Sequence, residues 1–456
     1  MEAAEQARPV APVIGSLHDH ASAMRLLKRG ASGAFMVSVG GTALGFLSNL
    51  VIARLTGREE YGIYALMFSW VSMLAVVAQA GQDISIVRFM PTYIREGAWG
   101  EIRGLRRGVG ALVLAISTAV AILGCVVVHV VGARHDATWR NTFYIGFALL
   151  PVLTQLQQSG ALHRAFKRPV VAGLYQTVGR PLILIVLMGA LALTIRRVDA
   201  PLVAAATVAS AILALAGSAW HLSREWPGQG RGALPRYEIR RWLVLGSQLS
   251  LLSIVVVAGN RLDVLILGAL LGTGDVGPYY AAVRMAGFAL FAQQAVNVVL
   301  APMIAERYDA RDMQGLRITA IRAARLGFAG ALAVGLFASA VGYWVLGLFG
   351  RGFEVAYVPL LVLVWGYCVT TALGEVGFML SMTRYQKQAA LFVLVGIVVN
   401  GIAAVLLIPR LGATGAAIGA VLSLVVWRGL AWRHTVKHLG IDPSIFGRTV
   451  ATGDVP

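Results

Sequence analysis

Lysine and arginine gather on one side of this chain's apolar segments, and that asymmetry constrains the fold more than any other feature. A helix needs about 20 apolar residues to cross a bilayer. On that measure the sequence predicts membrane helices over 31–53, 61–82, 108–131, 141–160, 171–194, 200–221, 246–271, 276–301, 325–349, 355–380, 387–409 and 412–432. Every second connection between them is rich in Arg and Lys, and 28 of the 39 basic residues fall there. The other connections, such as 272–275, are short and nearly bare. This is the positive-inside pattern of a polytopic membrane protein with both termini in the cytoplasm.

Composition agrees. The chain is 58% hydrophobic and 13% charged, too apolar for a soluble protein of 456 residues. Its net charge of +18 does not read as a nucleic-acid surface, because the charge is divided among loops between apolar spans. Such loops set topology and touch anionic headgroups. Cys125 and Cys368 lie inside apolar segments and make no disulfide framework. Residues 1–23 have no apolar core and read as a disordered cytoplasmic tail, followed by a basic stub at Met24–Arg29.

Residues 223–241 are the most linker-like stretch. They separate a six-span half at 24–222 from a second at 242–432, with a cytoplasmic tail at 433–456. The halves resemble each other: Leu55, Gly57, Gly62 and Tyr64 align with Leu270, Gly272, Gly277 and Tyr279 at a constant offset of 215. Two parallel six-span repeats suit a transporter working by alternating access. Gly40, Gly41 and Gly45, and again Gly412, Gly415 and Gly419, form small-residue faces for close helix packing.

Several activities find no support. No phosphate-binding Gly-Lys-Ser/Thr loop is present, so the chain is not its own ATPase. No His/Cys cluster suggests a metal, and nothing calls for a cofactor. The outer loops are too short for a catalytic domain, which leaves transport without covalent chemistry and no catalytic residues.

Charges inside the spans are the functional candidates, since burying one in a bilayer is expensive. Arg180, Arg261 and Arg284 fall near mid-membrane, against two acids, Asp263 and Glu375. Asn260 and Asp263 share a helix face, whereas Arg261 and Asp263 do not. Asp263 is therefore expected to pair with Arg284 on the next helix. The surplus of cations predicts a cavity for an anion, which guanidinium groups bind through paired hydrogen bonds. Glu375 fits either proton or sodium coupling or an ion pair. Arg88, on a basic amphipathic connection, fits either a lipid diphosphate arriving from the inner leaflet or a topology role. Gln155, Gln157, Gln158, Gln293, Gln294 and Asn297 suit sugar hydroxyls or helix–helix hydrogen bonds equally.

Three segments carry a family resemblance: Ser48 to Tyr64; Asn260-Arg-Leu-Asp263 with Val276-Gly-Pro-Tyr279 and Arg284; and Asn400 with Ile408-Pro-Arg-Leu-Gly412 and Gly415-Ala-Ala417. Over about residues 24–432 the chain resembles the polysaccharide-biosynthesis flippases of the multidrug/oligosaccharidyl-lipid/polysaccharide (MOP) exporter superfamily. The resemblance implies an all-α integral membrane fold, with twelve helices in two pseudo-symmetric bundles around a central cavity. It implies translocation of undecaprenyl-pyrophosphate-linked oligosaccharide across the bacterial inner membrane for O-antigen, exopolysaccharide or capsule. Polysaccharide polymerase and chain-length proteins would then be partners. A multidrug and toxin extruder driven by protons or sodium is the alternative, weakened because the first half holds no mid-depth carboxylate. A non-transporting scaffold would need no buried charge at all.

Overall fold

The computed structural model describes residues 17–447 except 196, 227, 229–231, 382 and 384. Arg384, expected on an inner connection, and the side chain of Asn297 lie outside the described residues. Regular structure among the described residues is entirely helical. The first half holds α1 (Leu17–Thr56), α2 (Arg58–Gln79), α3 (Gln82–Glu96), α4 (Trp99–Val131), α5 (Ala137–Ala165), α6 (Pro169–Gly173), α7 (Arg180–Thr194) and α8 (Ala200–Glu225). The second holds α9 (Ile239–Leu271), α10 (Thr273–Asp309), α11 (Met313–Phe349), α12 (Tyr357–Ala372), α13 (Val376–Ser381), α14 (Gln386–Leu411) and α15 (Ala413–Leu439).

Among the described residues, ten helical segments are long and apolar enough to cross a membrane. They match ten of the twelve expected spans. The exceptions are α5 and α10, whose Gln155, Gln157 and Gln158, and Arg284 and Gln293, dilute the apolar run. Local sequence explains the breaks. Asp136 and Asp199 accept from Trp139 N and Leu202 N and so cap α5 and α8. A π-helical turn, Leu174–Gly179, joins α6 to α7 within one span. Such turns leave ordinary helical hydrogen bonds unmade and recur at functional sites.

Both halves pack their spans in the same way. In each, the second and third spans pack on the fourth, and the fifth packs on the first and sixth. The fourth also packs on the sixth. The halves meet where α2 packs against α9 and α10 and where α1 packs against α10.

The repeat read from sequence is visible at its turns. Gly57 (φ 81°, ψ −178°) and Gly272 (φ 87°, ψ −177°) share one conformation, in a region essentially reserved for glycine. Gly62 and Gly277, also aligned, meet face to face. A Cβ on Gly62 would lie 1.9 Å from the Thr273 carbonyl oxygen, and one on Gly277 would lie 2.3 Å from that of Arg58. Arg58 bolts the same junction, donating to Gly274 O at 2.7 Å and pairing with Asp275 at 3.3 Å. This closes the arginine-poor end of the molecule.

At the arginine-rich end the chain is less tail-like than its sequence reads. Helix α1 already includes residues 17–23. Linker residues 233–236 lie on α4, where Arg236 N donates to Gly100 O and Arg103 donates to Ala233 O. Beyond α15, residues 441–447 fold back as a strap. Ile445 N donates to Ala372 O at 3.0 Å, and Arg325 donates to Ile445 O and Gly447 O. Trp432 Nε1 and Ser444 N both donate to Asp442 Oδ1. Gly374 (φ 79°) admits the strap, because a Cβ there would lie 2.1 Å from Pro443 O.

Candidate substrate site between the two halves

The three mid-span arginines converge where the halves meet. At 1.5 Å per residue, Arg261, Arg284 and Arg180 lie about 15, 17 and 21 Å from the arginine-poor ends of α9, α10 and α7. Those depths bracket the middle of a hydrocarbon core about 30 Å thick. Each side chain is only half-buried and keeps a surface that water reaches. Arg180 follows the π-helical turn, and its guanidinium lies over the Phe68 ring of α2 at 5.5 Å. It acts electrostatically on Tyr64 and Arg284.

Tyr280 is the hub. Its ring lies under the Arg284 guanidinium at 4.6 Å, and its hydroxyl accepts a hydrogen bond from the same group. Arg261 also hydrogen-bonds Tyr280. The Tyr280 ring is fully buried and meets Tyr61 of α2 edge-on at 6.0 Å. Tyr61 is anchored in turn by its hydroxyl on Asn49 Oδ1 at 3.0 Å. Sequence reasoning missed Tyr280. Its position one helical turn before Arg284 was the available signal.

The expected Asp263–Arg284 pair does not form. Asp263 is buried and accepts from the Tyr279 hydroxyl at 2.5 Å. Its other oxygen, Oδ1, has no hydrogen-bond partner among the described residues. The cause is helical geometry: adjacent residues point about 100° apart. Tyr279 and Tyr280 therefore take the acid and the base to different sides of α10. Asp263 acts on Arg261 only at longer range. None of the three arginines is in an ion pair with a carboxylate among the described residues.

The remaining candidates are scattered. Asn260 is exposed beside Arg261, in a different environment from the buried Asp263. Arg88 is exposed on α3, well apart from the cluster. Glu375 is buried just beyond α12 and feels the charge of Arg428 on α15. Arg428 donates to Thr370 O at 3.1 Å and to Gln293. The glutamines are largely committed to packing. Gln79 bonds Gln157 at 2.8 Å, Gln155 bonds Gly110 O at 3.0 Å, and Gln293 serves Arg428 and Thr371. Among the described residues no group of His, Cys, Asp and Glu is placed to hold a metal ion.

Comparison with known proteins agrees with this architecture. An inward-facing multidrug-resistance MATE transporter of the MOP superfamily superposes with a TM-score of 0.77 at 15% identity, covering 90% of this chain and 98% of that one. The lipid II flippase MurJ, in an inward closed conformation, gives 0.68 at 12% identity, covering 88% and 87%. A MOP superfamily transporter from Pyrococcus furiosus, described as having a binding pocket of reverse polarity, gives 0.64 at 14% identity, covering 91% and 96%. Among curated proteins none matches the chain significantly. The family model described as "Polysaccharide biosynthesis protein" matches residues 27–307. With its all-helical fold, its many apolar spans and its MOP-type neighbours, this multi-pass membrane chain belongs to the polysaccharide biosynthesis protein family.

Proposed function

We propose that this protein is a flippase for lipid-linked oligosaccharides, carrying an undecaprenyl-diphosphate glycan across the bacterial inner membrane without covalent chemistry. One observation carries the reading: three guanidinium groups meet at mid-membrane depth on a tyrosine hub, with no carboxylate paired to them among the described residues. Uncompensated charge at that depth is unfavourable unless a ligand of opposite sign makes use of it. A diphosphate supplies two anionic groups that guanidinium donors hold through paired hydrogen bonds. The arginine-poor end is sealed by the Gly62–Gly277 junction, so the site belongs to a state loading from the arginine-rich, cytoplasmic side. Rocking of the halves then exposes the head group outside while the prenyl chain stays in lipid.

The same reading assigns ion coupling to Asp263, whose Oδ1 has an unfilled hydrogen-bonding position, rather than to Glu375, which faces Arg428. Lipid-linked repeat units for O-antigen, capsule or exopolysaccharide fit the family, and a polymerase would consume them outside. The excess of positive charge opposes the cationic drugs that an extruder of the same fold would carry.

Reconstitution in liposomes with a fluorescent prenyl-diphosphate oligosaccharide tests the proposal. Arg180→Gln, Arg261→Gln and Arg284→Gln should each slow flipping at least tenfold with normal protein levels. Wild-type rates in all three would refute the site. Altered drug tolerance with intact surface glycans on gene deletion would favour an extruder instead.

A further inference from the structure

Arg261 and Arg284 come from different helices, carry like charges and share no carboxylate, yet they sit together. Something has to hold them there. The group between them is the Tyr280 oxygen, which takes hydrogen bonds from both. A hydroxyl oxygen has two lone pairs and accepts two N–H groups without adding negative charge. A carboxylate in the same place would neutralise the pair; the phenol leaves its net charge intact. The ring is fixed on both faces, by Arg284 and by Tyr61, so the oxygen cannot follow one arginine and abandon the other.

We propose that Tyr280 is a positioning residue for anion recognition, whose hydroxyl holds Arg261 and Arg284 at the spacing of two linked phosphates. Two donors bonded to one oxygen at about 2.9 Å lie at most about 6 Å apart. The outer oxygens of a diphosphate span a similar distance, whereas a monophosphate engages one guanidinium fully and the other poorly. The site is thereby selective for diphosphate over monophosphate lipid heads, before any sugar is read. This inference rests on the anionic-lipid reading of the cluster above.

Tyr280→Phe keeps the ring, its contact with Tyr61 and its place under Arg284, and removes only the oxygen. The measurement is equilibrium binding of farnesyl diphosphate and farnesyl monophosphate to the purified full-length protein, with a melting curve on the same sample. Tyr280→Phe should lower the diphosphate-over-monophosphate preference about tenfold while leaving monophosphate binding and melting temperature near wild type. An unchanged preference in a folded Tyr280→Phe protein overturns the inference. If Arg261→Gln and Arg284→Gln still weaken both ligands, the flippase reading survives that failure. If those two variants bind both probes like wild type, it is the flippase reading that falls. Arg261→Lys supplies a second route should Tyr280→Phe fail to fold. Lysine keeps the charge but offers a point donor in place of a planar fork, so the preference should again fall. A preference retained in Arg261→Lys would also count against the inference.

Discussion

Arg284 and Asp263 show how one residue of helical register decides what a buried charge does. The acid is held by Tyr279 and the base by Tyr280, consecutive on one helix. Removing the Tyr279 hydroxyl leaves a buried carboxylate with one hydrogen bond fewer. Tyr279→Phe should therefore destabilise the protein by about 1–3 kcal/mol, visible as a lower melting temperature in detergent. Adding Asp263→Asn should recover part of that loss, because a neutral amide tolerates burial better. The depth of the three arginines was legible in the sequence, since counting residues along an apolar span measures depth. Their partners were not, because spacing along one helix says nothing about the rotation of its neighbour. Arg428 escaped notice for a related reason: it stands near the end of its span, where basic residues are ordinarily topological.

Turns and breaks between helices were legible unevenly. Gly57 and Gly272 stood out because aligned glycines after apolar runs mark positions that need left-handed backbone. Gly57→Ala or Gly272→Ala should each cost about 1–3 kcal/mol of stability, again read by thermal melting, although neither glycine has a neighbour within 4 Å of its missing side chain. The π-helical turn before Arg180 carried no sequence signal, since its residues differ little from those of an ordinary membrane helix. The strap over 441–447 was read as a tail because it lacks periodicity; its hydrogen bonds come from distant helices. Burial pushes the Asp442 carboxyl up, but bonds from Trp432 and Ser444 outweigh this and hold it below the usual carboxylate range. A depressed folded value stabilises the docked strap above the unfolded pKa of about 3.9, and that stabilisation is lost as pH falls through the folded value. Hydrogen exchange over 441–447, corrected for intrinsic rate, should rise below about pH 4. In Asp442→Ala it should be high already at neutral pH.

At the scale of the whole molecule, closure at one end and access at the other depend on how tightly α2 meets α10. In a chain with Cys125 and Cys368 replaced by Ala, a cysteine at Phe68→Cys, beside Arg180, should react with an impermeant thiol reagent from the arginine-rich side only. Gly62→Val forces a side chain against the Thr273 backbone, which cannot rotate away as a side chain can. That variant should shift labelling of Phe68→Cys to the opposite side; labelling that stays put would show that the seal lies elsewhere. The two-half layout was readable because the offset of 215 linked four positions at once. The contact between the aligned glycines was not, since a repeat in sequence does not say where its axis runs.

That axis runs between Gly62 and Gly277, so each is the other's wall. The two codons accordingly behave as a single genetic locus. A colony rescued from a bulky replacement at one of them should carry its suppressor at the other or at Thr273, more than two hundred codons away, rather than beside the original lesion.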